Sequence, residues 1–480
     1  MEHIDVLVVG AGLSGIGAAC HLRQKCPEKS FVILEGRGAM GGTWDLFRYP
    51  GVRSDSDMYT LGYRFRPWSD AKAIADGSAI LNYIRETAAE FGVDRMIRYG
   101  HRVSRADWSS ADALWTVEAE TGPDKSPVQF TCNFLYLCTG YYDYEGGYTP
   151  EWPGVERFGG SLVHPQKWPE DLDYTGKRVV VIGSGATAVT LVPALAERAA
   201  HVTMLQRSPT YVASMPAEDR IANWLRGRLP ARTAYALARW KNVLFGMFFY
   251  NLARSRPEVF KRMIAKGNRK QLGRDFDLKH FTPQYNPWDQ RLCLAPNADI
   301  FRAIRQGRAS VVTDHIETFT ETGLQLRSGE HLDADIIVTA TGLVLKLMSG
   351  LNLFVDGTHV EMSKTIAYKG MMYSDVPNLA SALGYTNASW TLKCDLTAEY
   401  VCRLLKHMDR HGYGQCTPCV NDPEVREEPI LDFTSGYVRR ALHTLPRQGS
   451  KTPWRLHQNY VRDLSMLRYG RVDDGVMEFK

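Results

Sequence analysis

The sequence lacks long apolar runs and has few cysteines for its length. No segment reaches the roughly 18 uninterrupted apolar residues that a membrane-spanning helix needs. Acidic residues precede the first apolar run, so this run predicts an opening β-strand and not a secretory signal. The 9 cysteines are odd in number and scattered, which favours reduced thiols in a cytoplasmic protein over a disulfide framework.

The composition that remains is typical of a large globular protein. Of 480 residues, 44% are hydrophobic and 23% are charged, and the net charge is +5. At about 100 to 200 residues per domain, a chain of this length holds roughly three domains. No nucleic-acid recognition motif accompanies the positive charge, which argues against a nucleic-acid partner.

A glycine-rich turn follows the first apolar strand. The strand DVLVV runs into GAGLSG at residues 10–15, and the next strand, FVIL, ends at Glu35. This G-x-G-x-x-G fingerprint between strand and helix predicts a dinucleotide site, because glycines let a pyrophosphate approach the helix N-terminus. Glu35 can accept hydrogen bonds from a ribose diol. The predicted contacts of the turn are Gly10, Gly12, Ser14 and Gly15.

A second unit of the same kind begins at residue 178. RVVVI is followed by GSGATA at residues 183–188, a helical pattern and the strand HVTML. This strand leads to Arg207 and Ser208 instead of a carboxylate, and these groups can bind a 2′-phosphate that a glutamate would repel. We therefore predict FAD in the first site and NADPH in the second. The predicted contacts of the second turn are Gly183, Ser184, Gly185, Ala186, Thr187 and Ala188.

Two further apolar strands bracket the second unit. NFLYLCTG ends at Gly140 and ADIIVTATG ends at Gly342, and each has the form of a strand that closes a nucleotide-binding sheet. They indicate where the chain leaves and re-enters the first domain. The predicted fold is α/β, with two Rossmann-like dinucleotide-binding domains and a helical insertion in the second. The predicted boundaries are residues 1–150 and 343–480 for the FAD domain, 151–213 and 286–342 for the NADPH domain, and 214–285 for the insertion.

The insertion carries an excess of positive charge. From Arg220 to Lys279 there are 15 Lys or Arg residues and 3 acids, a local net charge of +12 that leaves −7 for the rest of the chain. The aromatic run WKNVLFGMFFY, residues 240–250, lies within this segment. The pattern predicts either a face that contacts anionic lipid or gates an apolar substrate, or a subdomain that packs its aromatic side chains into a core.

The most specific string is GGTWDLFRYPGVRSD at residues 41–55. It resembles, at every defined position, the motif of the type I Baeyer-Villiger monooxygenases, which are class B flavoprotein monooxygenases. FGGSLVHPQKWP at residues 158–169 resembles the second fingerprint of that family. It includes the final tryptophan and proline, which relatives that oxygenate only heteroatoms usually lack. Residues 286–293 and 384–393 are most similar to the mycobacterial ethionamide-activating subgroup.

The resemblance implies a single-component enzyme that uses FAD, NADPH and molecular oxygen. Such an enzyme forms a flavin peroxide and inserts one oxygen atom beside a ketone carbonyl, giving an ester or lactone, and it also oxygenates sulfides or thioamides. The implied substrate is a small hydrophobic ketone or sulfur compound. By resemblance Arg291 is the cation that stabilises the peroxide and the developing charge on the substrate, and Asp55 orients it.

The resemblance also implies cofactor contacts in the first motif. Gln290 departs from many family members, in which a lysine precedes the active-site arginine and helps to hold the 2′-phosphate. Arg207 therefore carries most of the predicted preference for NADPH. The implied flavin contacts are Gly42, Thr43, Trp44, Asp45 and, through its backbone at the adenine, Val103. The implied contacts with the nicotinamide nucleotide are Arg53, Ser54 and Asp55.

Two other functions stay open. A flavin monooxygenase restricted to heteroatoms would oxidise sulfides without making esters. A non-enzymatic nucleotide-binding or membrane-surface module would account for the fingerprints and the basic insertion, but not for Asp55 and Arg291. A flavin disulfide reductase needs paired cysteines near the flavin, and residues 36–55 contain none. We expect a cytoplasmic protein, with membrane association depending on the role of the insertion.

Overall fold

The structure, a computed structural model, describes residues 1–290, 292–431 and 435–480. Within these ranges the chain forms two large sheets, of nine and five strands, with helices packed against them. Each large sheet contains a strand, a glycine turn, a helix and a second parallel strand in succession, which is the unit that a dinucleotide-binding fold requires. The predicted α/β fold with two Rossmann-like sheets is confirmed.

The opening strand lies inside the first sheet. Glu2–Val9 pairs in parallel with Phe31–Glu35 on one side and with Ser126–Leu137 on the other. Val6, Leu7 and Val8 are fully buried, because both faces of the sheet are covered here, and the strand is apolar from Val6 to Val9. In spatial order the strands are Thr358–His359, Asn352–Val355, His101–Ser109, Leu114–Thr121, Ser126–Leu137, Glu2–Val9, Phe31–Glu35 and Ile97–Tyr99, with Leu379–Ser381 also paired to Ser126–Leu137.

The second sheet is parallel throughout. Arg178–Ile182 lies at its centre, between His201–Gln206 and Ile336–Thr339. In spatial order the strands are Ala309–Thr313, His201–Gln206, Arg178–Ile182, Ile336–Thr339 and Ser161–Val163.

The two chain crossings between the sheets lie side by side. Tyr142–Gly147 leaves the first sheet and pairs in antiparallel fashion with Leu343–Leu345, which returns from the second. The chain therefore leaves and re-enters the first sheet next to the two glycine-ended strands that the sequence singled out.

Helices and short strand pairs complete the described chain. The α-helices are Leu13–Lys25, Thr43–Leu46, Met58–Leu61, Gly77–Glu90, Ala186–Leu195, Arg220–Arg226, Ala231–Ser255, Pro257–Leu272, Asp299–Arg305, Trp390–His411, Gly436–Ala441 and Tyr460–Leu464. The remaining strands are Val212–Met215 with Cys293–Pro296, Ile316–Thr320 with Gly323–Leu326 and His331–Asp333, Ala367–Tyr368 with Met372–Tyr373, Cys416–Pro418 with Met477–Phe479, and Glu427–Pro429 with Arg447–Gly449.

Three helices, Arg220–Arg226, Ala231–Ser255 and Pro257–Leu272, form the segment that was predicted as a helical insertion. Phe249 and Phe260 pack into a small apolar cluster there. Three other aromatic side chains point to solvent, with exposed fractions of 41% for Trp240, 51% for Phe245 and 61% for Phe248. The prediction that this segment packs its aromatic side chains into a core is therefore wrong for these three.

A buried arginine anchors the long helix of the insertion to the backbone of residues 59–62. Arg239 is 4% exposed, and its Nη1 donates to the carbonyl oxygens of Tyr59 at 2.8 Å and Gly62 at 2.7 Å. Its Nη2 lies 3.4 Å from a carboxylate oxygen of Asp395 on helix Trp390–His411. These contacts orient the helix, so that its opposite face points to solvent.

Candidate active site between two nucleotide turns

The first glycine turn leaves no room for a side chain at Gly10 or Gly15. Gly10 has a φ of 103°, and a Cβ atom there would lie 2.6 Å from the carbonyl oxygen of Cys138. A Cβ atom at Gly15 would lie 1.8 Å from the carbonyl oxygen of Gly10. Gly12 immediately precedes helix Leu13–Lys25. Backbone N–H groups at a helix N-terminus attract a phosphate group, so this turn fits the pyrophosphate of a dinucleotide.

Glu35 lies beside the first turn at the end of its strand. Its Oε2 accepts a hydrogen bond of 2.8 Å from the backbone N–H of Ala11, and its Oε1 accepts one of 2.9 Å from that of Arg37. Burial raises the pKa of Glu35, although these two hydrogen bonds oppose the shift. A carboxylate has about four acceptor positions, so the two amides leave room for a ribose hydroxyl.

The start of the 41–55 motif lies directly against the first turn. The backbone N–H of Gly41 donates to the carbonyl oxygen of Ala11 at 2.9 Å. Gly42 has a φ of 56°, and a Cβ atom there would lie 3.0 Å from the Cα of Gly12. The two glycines allow this close approach of backbones, which places the following residues beside the first nucleotide turn.

The next three residues of the motif begin a short helix, Thr43–Leu46. The Thr43 side chain forms a hydrogen bond with Tyr144, and Trp44 is partly buried against the main core. Asp45 is buried within reach of three guanidinium groups. Its carboxylate oxygens lie 2.7, 3.4 and 3.6 Å from nitrogens of Arg37, Arg48 and Arg85.

The far end of the motif contacts the second nucleotide turn. The Tyr49 side chain forms a hydrogen bond with Thr187, and burial raises the pKa of Tyr49 to about 12. A Cβ atom at Gly51 would lie 3.1 Å from the carbonyl oxygen of Thr190, in the helix Ala186–Leu195 that follows the second turn. The motif therefore extends from one nucleotide turn to the other.

Arg53, Ser54 and Asp55 close the motif in a partly buried region. Nη1 of Arg53 lies 2.5 Å from a carboxylate oxygen of Asp299, and both side chains are largely buried. The Ser54 hydroxyl donates to the carbonyl oxygen of Ser56 at 2.7 Å. The charge of Asp55 contributes to the raised pKa of Tyr49, so Asp55 lies near the contact with the second turn. Arg291, the predicted catalytic cation, lies outside the described residues.

The second glycine turn has at Gly183 the same steric restriction as the first turn has at Gly10. Gly183 has a φ of 139°, and a Cβ atom there would lie 2.3 Å from the carbonyl oxygen of Ala340. The Ser184 hydroxyl lies 2.7 Å from that of Thr210 and donates to the carbonyl oxygen of Ser208 at 3.2 Å. No described protein atom lies within 4 Å of a Cβ atom placed at Gly185, so the space in front of the helix is open to a nucleotide.

The remaining predicted contacts differ in their exposure. Arg207 and Ser208 are exposed directly after strand His201–Gln206, where a side chain can reach a 2′-phosphate. Ala186 begins the helix of the second turn, whereas Ala188 is buried in the core of the second sheet. Val103 is buried within strand His101–Ser109, so that only its backbone is suited to the proposed adenine contact.

The structure adds residues to which the sequence assigned no role. Trp390 donates from its indole Nε1 to the Ser14 hydroxyl at 2.9 Å. Its ring stacks on Tyr141 with centroids 4.8 Å apart. A Cβ atom at Gly384 would lie 2.4 Å from the Trp390 ring. Residues 384–393 resemble the ethionamide-activating subgroup, but no sequence pattern indicates that Trp390 contacts the first turn. Tyr49 and Asp299 were missed for the same reason.

His164, in the second fingerprint, lies at the crossings between the sheets. Its Nδ1 accepts a hydrogen bond of 3.2 Å from the backbone N–H of Gln166. A Cβ atom at Gly147 would lie 1.9 Å from its ring, so the ring covers one of the two crossing strands. Burial lowers the pKa of His164. The second fingerprint therefore packs, through His164, against a strand that connects the two sheets.

Comparison with known proteins agrees with this arrangement. Residues 65–411 match the family model described as flavin-binding monooxygenase-like, and residues 8–71 match an NAD(P)-binding Rossmann-like domain. The chain belongs to the flavin-binding monooxygenase-like family. It is an oxidoreductase, a flavin-dependent monooxygenase whose cofactors are FAD and NADP.

The similarity to single proteins extends over the whole chain. The chain is 56% identical over 482 residues to the FAD-containing monooxygenase EthA of Mycobacterium tuberculosis, covering 100% of this chain and 98% of that protein. Its fold is similar to that of a steroid monooxygenase bound to NADP, with a TM-score of 0.72, 24% identity and 88% of each chain covered. It is also similar to an open structure of cyclohexanone monooxygenase, with a TM-score of 0.75, 19% identity and 100% of each chain covered.

Gly185→Ala is expected to raise the KM for NADPH by about tenfold or more, because the new methyl group would occupy space open to the nucleotide. The flavin absorbance spectrum and the melting temperature are expected to stay unchanged, since no described protein atom lies within 4 Å of the new group. Steady-state kinetics with varied NADPH measures the effect. Gly267→Ala, on an exposed helix position with equally open surroundings, is the control. An unchanged KM for NADPH would show that the second turn does not contact NADPH at Gly185.

Proposed function

We propose that the chain is a Baeyer-Villiger monooxygenase that inserts one oxygen atom beside the carbonyl of a small hydrophobic ketone. We further propose that it oxygenates sulfides or thioamides, because the same oxygen donor can react with soft nucleophiles. The observation that carries the proposal is the path of the 41–55 motif, which contacts both nucleotide turns through Gly42 and Tyr49.

The two turns supply the binding part of the proposed mechanism. The tight turns at Gly10 and Gly183 fit two pyrophosphates. A Cβ atom at either position would clash with a backbone carbonyl group, so only glycine allows the turn that each pyrophosphate site needs. Glu35 would hold the ribose of FAD, and Arg207 with Ser208 would hold the 2′-phosphate of NADPH. When bound, FAD supplies the redox and oxygen chemistry and NADPH supplies the hydride.

The motif supplies the positioning part. Thr43 and Trp44 would line the flavin, and Arg53 would face the nicotinamide nucleotide while Asp299 holds its guanidinium. We propose that Arg291 stabilises the negative charge that develops on the substrate oxygen, and that Asp55 orients Arg291. Both roles come from the resemblance of the chain to the Baeyer-Villiger family.

We also propose the domain division drawn from the sequence. Residues 1–150 and 343–480 would form the FAD domain, 151–213 and 286–342 the NADPH domain, and 214–285 the helical insertion. The antiparallel pair Tyr142–Gly147 and Leu343–Leu345 supports this division, because both crossings between the sheets lie there.

Turnover of a ketone tests the proposed reaction. The purified yellow protein is mixed with NADPH, oxygen and a medium-chain aliphatic ketone, and ester is measured by gas chromatography beside NADPH consumption. Ester formed in step with NADPH loss is the expected result. Oxidation of a sulfide without any ester from ketones would assign the chain to the heteroatom-restricted monooxygenases instead.

Arg207→Gln is expected to raise the KM for NADPH by roughly 10- to 100-fold and to leave the KM for NADH nearly unchanged. The variant loses charge-assisted hydrogen bonds that only the 2′-phosphate would form, worth about 1.5 to 3 kcal/mol. Arg327→Gln, another exposed arginine, serves as the control for the loss of one positive charge. Equal changes in both KM values would show that Arg207 does not recognise the 2′-phosphate.

A further inference from the structure

Exposed apolar side chains are concentrated on the helical insertion. Within the described part of the chain, 17 large apolar side chains are exposed, and 9 of them lie between Ile221 and Met263. Large apolar patches on the surface of a soluble protein usually mark a site that binds a partner or a membrane. The nine side chains are Ile221, Trp224, Leu237, Trp240, Leu244, Phe245, Phe248, Val259 and Met263, and together we call them the insertion face.

The long helix Ala231–Ser255 has two distinct faces. One face is buried against the rest of the protein through residues such as Tyr235, Arg239 and Val243. The exposed apolar side chains at 237, 240, 244 and 248 follow one another at steps of three or four residues, and such steps place them on the opposite face. The helix therefore has a second apolar surface, which stays largely exposed to solvent.

The neighbouring helices mix apolar and basic side chains in the same way. On Pro257–Leu272, the exposed residues Arg262 and Met263 lie three and four positions after Val259, and Lys266 lies four and three positions after them. Trp224 lies on helix Arg220–Arg226, and the guanidinium of Arg228, just after this helix, lies 4.5 Å from its ring centroid. Apolar groups surrounded by cations are typical of helices that lie in the interface of an anionic membrane.

A cavity of about 480 Å³ lies along the same helix, under Trp240. Its walls combine aromatic rings with guanidinium groups, including those of Arg232 and Arg468. Gln24, which lines the cavity, lies near the C-terminal end of helix Leu13–Lys25. Gly12, in the first glycine turn, precedes the other end of this helix, about 18 Å away. The cavity is thus separate from the proposed active site, and its lining suits a lipid headgroup with part of a chain.

The charge of the insertion selects an anionic partner. The segment 220–279 has a net charge of +12 and the rest of the chain −7. A symmetric contact between two copies would bring two such faces together and would be opposed by repulsion. An anionic bilayer attracts the same charges. In the described part of the chain no helix combines the length and the apolar character that crossing a bilayer requires, so the contact would be peripheral.

We propose that the insertion face docks on the surface of an anionic lipid bilayer. Its apolar side chains enter the headgroup region, and the surrounding cations, Arg262 and Lys266 among them, contact lipid phosphates. The proposal does not depend on the proposed oxygenation chemistry.

Vesicle flotation of the FAD-loaded protein tests the docking. Vesicles of phosphatidylcholine alone are compared with vesicles that also contain about 30% phosphatidylglycerol. We expect the protein to float with the anionic vesicles at low salt and to remain unbound with the neutral ones. Wild-type protein that binds neither kind of vesicle would overturn the proposal.

Two double variants separate the apolar and the basic contributions. Phe245→Ser with Phe248→Ser is expected to weaken binding by more than about tenfold. Arg262→Gln with Lys266→Gln is expected to weaken it by about 25-fold, because each cation adjoining an anionic surface contributes about a factor of five. All four positions are exposed, so the fold should be kept.

Matched controls lie outside the insertion face. Leu162→Ser removes an exposed apolar side chain, and Lys125→Gln with Lys177→Gln removes two exposed cations; both are expected to leave vesicle binding unchanged. NADPH turnover with a soluble ketone is measured in parallel, so that loss of docking and loss of activity are told apart. Equal weakening by the controls, or an oligomer that the Phe245 and Phe248 variant converts to a monomer without any vesicle binding, would contradict membrane docking.

Discussion

Arg291→Ala is expected to lower ester formation by about 100- to 1,000-fold while NADPH oxidation continues. The guanidinium is proposed to stabilise the negative charge that develops on the substrate oxygen, and removal of one such preorganised group costs an enzyme about this much. The uncoupled electrons should appear as hydrogen peroxide. Ester by gas chromatography, NADPH absorbance and peroxide are measured in the same reaction.

The companion variants sharpen this test. Arg291→Lys keeps the charge but loses the planar fork of donors, so its ester formation should lie between that of the wild type and that of the alanine variant. Asp55→Asn should lower ester formation less than Arg291→Ala, because Asp55 is proposed to orient the cation and not to contact the reacting atoms. Arg327→Ala, at an exposed position, should have no effect. Full oxygenation by Arg291→Ala would remove the assignment.

Glu399→Gln is expected to lower the free energy of unfolding by about 3 kcal/mol at pH 7. Glu399 is 3% exposed and its carboxylate oxygens lie 2.5 and 2.6 Å from nitrogens of Arg64 and Arg468. Burial alone would raise its pKa, but the hydrogen bond from Arg468 and the neighbouring cations lower the pKa from the usual 4.5 to about 2. A lowering of this size corresponds to about 3 kcal/mol of stability.

The stabilisation by Glu399 is expected to depend on pH. Because the folded-state pKa is lowered, the stabilisation is fully present above pH 4.5 and is lost as the pH falls toward 2. The difference between wild type and variant should therefore be largest near neutral pH and should narrow below pH 4.5. Urea unfolding followed by tryptophan fluorescence measures it.

The control for Glu399 is a carboxylate on the same helix. Asp409 pairs with Lys29 at 2.6 Å but is 44% exposed, and exposed pairs contribute about 0 to 1 kcal/mol. Asp409→Asn should therefore change the free energy of unfolding by less than about 1 kcal/mol. A difference for Glu399→Gln that does not vary with pH would show that its ionisation is not what stabilises the fold.

The nucleotide turns were predictable because their requirements are local. Gly10 and Gly183 have positive φ angles, and a side chain at either would meet the backbone of the next closing strand. Only glycine both adopts a positive φ easily and avoids this clash, so the turn can be recognised from a few consecutive residues. The same holds for the alternation of apolar strands and helices, which predicted two Rossmann-like sheets.

The contacts that bring the two nucleotide turns together in one site could not be predicted from the sequence. Trp390 and Ser14 are 376 positions apart, and Arg53 and Asp299 are 246 positions apart. Neither pair has a local signal, because a tryptophan or an aspartate occurs in many surroundings. The path of the 41–55 motif from the first turn to the second likewise depends on how the sheets are placed by the crossing strands near Gly147 and Leu343.

The sequence by itself determined the two glycine turns, the fold class and the family, since backbone sterics and apolar periodicity act over short stretches of chain. It also determined the local charge of +12 on the insertion. Only the tertiary structure decided which of its aromatic side chains are buried. Arg239 fastens one face of helix Ala231–Ser255 to buried carbonyl groups, and a helix with one face held in the protein must present the opposite face to solvent. Trp240 and Phe248 are therefore exposed, a result of packing that composition cannot specify.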